Sequence, residues 1–262
     1  MAIATVSDGI AIHYELEGDP SHPVLVLSNS LGTHLGMWEG QVASFSDRYR
    51  VLRYDTRGHG QSDAPEGPYS LCRLGQDVVD LLDALGVRQA HFCGLSLGGM
   101  TGMWLGINAA DRFRSLTLCC TSAYLPPAEL WDNRIELVAA SGMESIAEPV
   151  LQRWFTPGFL DSNSSMIDLV REQLVLTQPK GYIGCCAAIR NMDQRTCLKK
   201  IELPSLVVAA ADDLATPSEH GKFIAREIIN CEYVELSDAA HLSNIEQRDA
   251  FNAALTKFLD RH

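Results

Sequence analysis

The stretch Gly94-Leu95-Ser96-Leu97-Gly98-Gly99 places a serine between two glycines, directly after the apolar residues 90–93. A serine in a sharp strand-to-helix turn exposes its hydroxyl above a sheet, and glycines two residues to either side let the backbone turn tightly. Residues 100–110 follow as a predicted helix, whose first amides and dipole favour an oxyanion near the serine. The pattern predicts a nucleophile elbow with Ser96 as the nucleophile.

A serine nucleophile needs a base and an acid, and in this architecture the expected chain order is serine, acid, histidine. The predicted strand over 205–210 ends just before Asp212 and Asp213, and the predicted strand over 231–236 is followed by His241. We therefore expect His241 to be the general base. Adjacent residues of an extended segment point to opposite sides, so only one aspartate faces the histidine. The pattern D-x-x-T-P favours Asp213, and Asp212 is the alternative.

The chain contains seven other histidines. Three lie in polar or terminal surroundings and are expected to be solvated: His22, His220 and His262. Three precede the elbow and break the expected order: His13, His34 and His91. His59 lies in the turn Arg57-Gly58-His59-Gly60, for which a structural role is expected.

Composition predicts a compact enzyme without a membrane span. The 262 residues are 46% hydrophobic and 21% charged, which is ample for a large core. No segment approaches the roughly 18 uninterrupted apolar residues of a membrane helix, and the N-terminus lacks a signal-peptide pattern. The net charge of −12 would repel nucleic acid and anionic membranes, and an anionic substrate would need local cations.

The eight cysteines predict neither disulfides nor a metal site. Two adjacent pairs, Cys119-Cys120 and Cys185-Cys186, suit bridges badly, and no C-x-x-C or clustered Cys/His set occurs. We expect small buried thiols in a reducing cytoplasm, with no metal or cofactor.

The hydrophobic pattern divides the chain into an α/β core and an inserted helical segment. Strands are predicted over 2–6, 10–17, 24–28, 51–54 and 115–120, with helices over 71–85 and 247–260. The strand signal disappears between about 124 and 200, where prolines separate short helical patterns. We therefore predict a core of residues 1–123 and 201–262, with a helical cap over 124–200 above the active site.

Several motifs together carry a family resemblance: Leu27-Ser28-Asn29-Ser30-Leu31-Gly32-Thr33, Met37-Trp38, Arg53-Tyr54-Asp55-Thr56-Arg57-Gly58-His59-Gly60, His91 to Ser96, Gly181 to Arg190, and Ala240 to Gln247. With these the chain resembles the α/β-hydrolases, and most closely the 3-oxoadipate enol-lactonases. The resemblance implies a mostly parallel central sheet flanked by helices, with an inserted cap. It also implies that the backbone amides of Leu31 and Leu97 form the oxyanion hole.

The resemblance further implies the reaction. An enol-lactonase of this family opens the lactone ring of 3-oxoadipate enol-lactone to 3-oxoadipate, in the β-ketoadipate pathway of aromatic catabolism, through an acyl-enzyme. The substrate is then a small anionic lactone. A general carboxylesterase or a carbon-carbon bond hydrolase of the same fold is the alternative, and a ligand-binding receptor on this scaffold is a third.

The predicted cap is nearly neutral, with 8 Lys and Arg against 9 Asp and Glu over residues 125–200. Its arginines are therefore candidates for binding the substrate carboxylate, and Arg134 and Arg190 are the two that we select. Either of them could instead form a structural ion pair. Trp131 and Trp154 are candidates for the pocket wall, with plain packing as the alternative.

Overall fold

The computed structural model describes residues 2–262, and an eight-stranded sheet forms its centre. The strands are β1 (Ala2–Thr5), β2 (Ala11–Glu17), β3 (Val24–Ser28), β4 (Arg50–Tyr54), β5 (Ala90–Leu95), β6 (Phe113–Cys119), β7 (Ser205–Ala210) and β8 (Cys231–Leu236). The helices are α1 (Glu39–Phe45), α2 (Leu71–Ala84), α3 (Leu97–Asn108), α4 (Ala128–Ser141), α5 (Ala147–Trp154), α6 (Pro157–Ser162), α7 (Ser164–Leu176), α8 (Pro179–Arg190), α9 (Ser218–Glu227), α10 (Ser243–Glu246) and α11 (Arg248–Leu259).

The strand order is β1-β2-β4-β3-β5-β6-β7-β8. The pairs β1 with β2 and β2 with β4 are antiparallel, and all other pairs are parallel. Every residue of β3, β5 and β7 is buried, as expected for central parallel strands with both faces covered. This confirms the predicted α/β class with a mostly parallel sheet.

Helices cover the sheet in two groups. In the first group, α2 contacts α3, and α3 packs against β5 and β6. In the second group, α1 contacts α11, and α11 packs against β7 and β8. The sequence of α2 explains why it forms a helix with one face on the core, because its apolar residues recur at helical spacing and are buried. These residues are Leu71, Leu74, Val78, Leu81 and Leu82. The helices leave the carboxyl ends of the parallel strands free for the loops that carry the site.

Between β6 and β7 the chain forms α4 to α8 with two 3-10 helices, at Met143–Ile146 and Arg195–Lys200. Helix α8 lies directly on the core, since the Cα of Gly181 approaches Gly58 so closely that a Cβ on Gly181 would lie 2.2 Å from the Gly58 carbonyl oxygen. These helices fall within the range 124–200 given for the cap. The division into core and cap as separate units stays a prediction.

The described part of the chain contains no helix that is both long and apolar enough to span a membrane. All eight cysteines are free, and five of them are buried. The expectation of buried thiols is wrong for Cys72, which is exposed on α2, and Cys197 and Cys231 are only half-buried. Within residues 2–262 no group of three or more His, Cys, Asp or Glu side chains is arranged to hold a metal.

Candidate active site

Ser96 lies in a sharp turn between β5 and α3, with φ 59° and ψ −112°. This left-handed conformation is costly for a residue with a side chain, and it persists only where the surroundings enforce it. Here the Ser96 amide donates to the Cys119 carbonyl at 2.8 Å, and the Thr121 hydroxyl donates to the Ser96 carbonyl at 2.7 Å. A Cβ on Gly94 would lie 2.3 Å from the Gly98 carbonyl carbon, and a Cβ on Gly98 would lie 2.2 Å from the Ser28 carbonyl oxygen, so both positions of the turn need glycine.

His241 and Asp213 form a buried pair. The Asp213 Oδ2 atom lies 2.9 Å from the Nδ1 atom of His241, and since a carboxylate only accepts, this nitrogen carries the proton. Asp213 Oδ1 accepts from the amides of Ala215 at 2.8 Å and Thr216 at 2.9 Å, and Oδ2 accepts from the Thr216 hydroxyl at 2.7 Å. Burial opposes ionisation of Asp213, but the attraction of His241 and these hydrogen bonds outweigh it and lower the pKa of Asp213.

The structure separates the two adjacent aspartates. Asp213 is buried against His241, whereas the side chain of Asp212 is exposed and its backbone amide donates to the Ala239 carbonyl at 2.9 Å. The strand β7 ends at Ala210, and residues 211–212 form a turn in which the Asp213 amide donates to the Ala210 carbonyl at 3.4 Å, so this turn rather than strand alternation separates the two side chains. The geometry therefore favours Asp213 as the partner of the histidine.

The two amides predicted to form the oxyanion hole lie beside the elbow. Leu97 is the first residue of α3, where backbone amides have no partner within the helix, and Leu31 lies in the loop after β3. Within residues 2–262 neither amide donates to a backbone carbonyl in the surrounding turns. Elbow and loop are joined, since the Gly98 amide donates to the Asn29 carbonyl at 3.0 Å.

His59 is hydrogen-bonded to the loop after β3, which contains Leu31. Its Nε2 atom accepts from the Gly32 amide at 3.0 Å, and its Nδ1 atom lies 3.3 Å from the Arg57 carbonyl, which assigns the proton to Nδ1. Burial lowers the pKa of His59 to about 4, so the ring stays neutral and remains an acceptor. Gly32, the residue after Leu31, is therefore held by His59, which belongs to the turn at residues 57–60 that was expected to be structural.

A cavity of about 250 Å³ opens above Ser96. The core contributes Leu31, Ser96 and His241 to its lining, together with others around them. The helical segment contributes five large side chains: Trp131, Arg134, Arg153, Trp154 and Tyr182. The predicted nucleophile and base thus share one cavity with Trp131, Arg134 and Trp154, three of the four predicted substrate-binding residues.

Two arginines line this cavity without an acidic partner. The Arg134 guanidinium lies over the Trp131 ring, 5.2 Å from its centroid. Within residues 2–262 neither Arg134 nor Arg153 forms an ion pair, whereas other arginines of the helical segment pair with surface acids. Burial and the repulsion of Arg134 lower the pKa of Arg153. Sequence reasoning missed Arg153, because a lone arginine on a short amphipathic helix carries no distinguishing signal.

Three sequence expectations need correction. His22, expected to be solvated, is half-buried with its Nδ1 atom enclosed. Arg190 is absent from the lining of this cavity, although its neighbour Ile189 is part of it; its Nη1 atom pairs with Asp132 Oδ1 at 2.5 Å, which is the structural ion pair given as the alternative. His220, expected to be solvated, is half-buried and its Nδ1 atom lies 2.5 Å from the Ser122 hydroxyl, since the first turn of α9 packs on the segment after β6.

Comparison with known proteins places this geometry in a family. The family model described as alpha/beta hydrolase fold matches residues 23–247. The chain belongs to the alpha/beta hydrolase family. Among its relatives, 3-oxoadipate enol-lactonase 2 of Acinetobacter baylyi is 41% identical over 252 residues, covering 96% of this chain and 94% of the relative. In the same organism, 3-oxoadipate enol-lactonase 1 is 40% identical, with coverages of 97% and 95%.

Solved structures agree with the sequence relatives of this alpha/beta hydrolase. The enol-lactonase from Burkholderia xenovorans LB400 superimposes with a TM-score of 0.97 at 42% identity, covering 99% of this chain and 100% of that one. A hydrolase from Pseudomonas aeruginosa PA01 gives a TM-score of 0.96 at 46% identity, with coverages of 98% and 97%. The resemblance to enol-lactonases found in the motifs is confirmed over nearly the whole chain.

Proposed function

We propose that this alpha/beta hydrolase is a 3-oxoadipate enol-lactonase of the β-ketoadipate pathway, which adds water across the lactone ring to release 3-oxoadipate. The observation that carries the proposal is the cavity, in which a serine at a strained elbow and a histidine meet two arginines without acidic partners. Enol-lactonases among the near-full-length relatives support the same substrate class. The eight free thiols suit a reducing cytoplasm.

In the proposed reaction Ser96 attacks the lactone carbonyl while His241 takes the hydroxyl proton. Asp213 keeps the imidazole in the correct tautomer and stabilises its charged form. The amides of Leu31 and Leu97 donate to the oxyanion, and one such donor contributes about 3 to 4 kcal/mol. The ring oxygen leaves as an enol that receives the proton from His241. Water then attacks the acyl-enzyme while His241 accepts its proton, and His241 passes this proton to the Ser96 oxygen as the ester bond breaks and 3-oxoadipate leaves.

The leaving group of a lactone needs a separate step, because it stays tethered to the acyl-enzyme. At the high effective concentration of a tethered group, the enol oxygen would close the ring again. Tautomerisation of the enol to a ketone removes this nucleophile. The proposed cycle is productive for an enol-lactone for this reason.

Arg134 and Arg153 are proposed to bind the free carboxylate of the substrate. A guanidinium binds a carboxylate through two parallel hydrogen bonds, and both side chains lie in the cavity without another acid to satisfy them. An anion between them would also offset the repulsion that lowers the Arg153 pKa. Trp131 and Trp154 would form the apolar walls around the ring.

Steady-state hydrolysis of 3-oxoadipate enol-lactone, measured beside an acetate ester, tests the proposal. We expect kcat/KM for the lactone to exceed that for the ester by several orders of magnitude, and Ser96→Ala to abolish both. Comparable turnover of the ester would leave the nucleophile in place and contradict the substrate.

The arginines are tested with Arg153→Gln and Arg134→Gln, with Arg190→Gln as the matched control outside the cavity. Removal of a charge-assisted hydrogen bond costs about 1.5 to 3 kcal/mol, so KM for the lactone should rise about ten- to hundred-fold. A neutral lactone of the same ring size should be unaffected. Equal effects on charged and neutral lactones would show that the arginines are structural.

A further inference from the structure

Glu246, on α10, connects the loop of His241 to the helical segment above it. Its Oε1 atom accepts from the backbone amide of Thr156 at 3.0 Å and from the Thr156 hydroxyl. Its Oε2 atom accepts from the backbone amide of Ala240, the residue before His241, at 2.8 Å. One half-buried carboxylate thus holds two backbone segments that are far apart in sequence.

The residue after His241 is tied to the same place. The Leu242 amide donates to the Trp154 carbonyl at 3.0 Å, and the Trp154 side chain lines the cavity. The backbone amides of both residues next to His241 are therefore connected to residues 154–156, that of Leu242 directly and that of Ala240 through Glu246. The pair with Asp213 orients the imidazole ring, but these contacts locate the backbone that carries it.

Capping of α6 alone does not account for the arrangement. Thr156 is the N-cap of α6, and its hydroxyl already accepts from the Phe159 amide at 3.3 Å. A cap of this kind needs only the threonine. The second oxygen of Glu246, which binds Ala240, contributes nothing to α6 and acts only on the histidine loop.

We propose that Glu246 and Thr156 are positioning residues for the catalytic base, so that the segment 154–156, whose Trp154 side chain lines the substrate cavity, also holds His241 in place for Ser96. The inference rests on the proposed role of His241 as the base. A displacement of a reacting group by about 1 Å costs about a hundred-fold in rate, so small shifts of this loop are sufficient to lower kcat.

The variants Glu246→Gln and Thr156→Val test the inference from the two sides of the contact. A glutamine presents one acceptor and one donor, so one of the two amides loses its partner. Ser70→Ala is the matched control for Thr156→Val, since Ser70 is the N-cap of α2 and accepts from the Arg73 amide at 3.2 Å. Glu148→Gln, a surface carboxylate paired with Arg171, is the control for Glu246→Gln.

Three readouts distinguish positioning from stability. We expect kcat on the enol-lactone and the rate of Ser96 phosphonylation by a fluorophosphonate to fall about ten- to hundred-fold, with KM changed by less than about twofold. The downfield proton resonance of the His241–Asp213 hydrogen bond should shift or broaden. The two controls should keep native rates, and Ser70→Ala should lose stability alone.

Native kcat and phosphonylation rates in both variants, with only earlier thermal unfolding, would overturn the inference. If Glu246→Gln does not fold, Thr156→Val decides, because it leaves the carboxylate in place and removes only the hydroxyl that donates to Glu246 Oε1. Lack of lactone hydrolysis by the native chain would overturn only the proposed substrate. The phosphonylation rate would still report on Ser96 and His241, because it does not depend on which substrate the enzyme takes.

Discussion

At the scale of single residues, the chemistry of the site depends on which charged side chains lack an ion-pair partner and which accept several hydrogen bonds. Asp213 accepts four hydrogen bonds in a buried position, which keeps it charged and immobile. Arg134 and Arg153 have no acid to pair with in the described chain, which leaves them available to an anion. Motif spacing pointed to Ser96, Asp213 and His241, but spacing contains no information on the partners of an isolated arginine.

Asparagine substitutions at the two adjacent aspartates test the residue scale. In Asp213→Asn the amide cannot stabilise the charged imidazole or enforce its tautomer, so kcat should fall by about 10⁴-fold. Asp212→Asn is the matched control, since that side chain is exposed, and it should change kcat far less. Steady-state kinetics on the lactone measure both. A larger loss in Asp212→Asn would contradict the proposed triad.

At the scale of elements, α8 joins the helical segment to the turn at residues 57–60 by a close backbone contact. Gly181 and Gly58 allow their backbones to touch, and the Gly184 carbonyl accepts from the Tyr69 amide at 3.1 Å. The strands and most helices were predictable, because apolar runs and helical periodicity are local patterns. The helices α1, α9 and α10 were not predicted, since four to ten residues give too little periodicity.

Gly181→Ala tests this backbone contact. The added Cβ would lie 2.2 Å from the Gly58 oxygen, and a backbone atom cannot move aside as a flexible side chain does. Overpacking costs about 1 to 3 kcal/mol, so the free energy of unfolding in urea should fall by that amount or more. KM for the lactone should rise as α8 and its Tyr182 shift.

Gly158→Ala is the control for this substitution. A Cβ at Gly158, in α6, meets no atom of residues 2–262 within 4 Å, and alanine favours a helix over glycine by up to about 1 kcal/mol. We expect this variant to be as stable as the native chain or slightly more so. Equal stability of the two variants would contradict a tight contact between α8 and the core.

At the scale of the whole molecule, buried neutral histidines couple stability to pH. Burial lowers the pKa of His59 and of His91 from 6.5 to about 4. Below pH 6.5 the unfolded chain binds these protons and the folded chain does not, so the unfolded state gains stability as the pH falls. Above pH 6.5 this effect vanishes, because both states are then neutral at these positions.

We therefore expect the free energy of unfolding to fall between about pH 6.5 and pH 5, by up to about 1.4 kcal/mol per pH unit for each histidine. Urea unfolding at several pH values across this window measures the slope. His91→Gln, which removes a titrating group distant from the site but can still bond to Ser115, should reduce it. A flat profile in the native chain would show that neither ring stays neutral.

The sequence by itself determined the α/β class, the strand positions and the identity of the elbow serine, because these depend on short-range periodicity and on glycines at a strained turn. It limited the acidic partner of His241 to the adjacent residues Asp212 and Asp213. Only the tertiary structure decided which aspartate meets His241, that Arg153 rather than Arg190 lines the cavity, and that Glu246 ties the histidine loop to residues 154–156. Such contacts join segments many residues apart, and they depend on how packed elements orient side chains rather than on any local pattern.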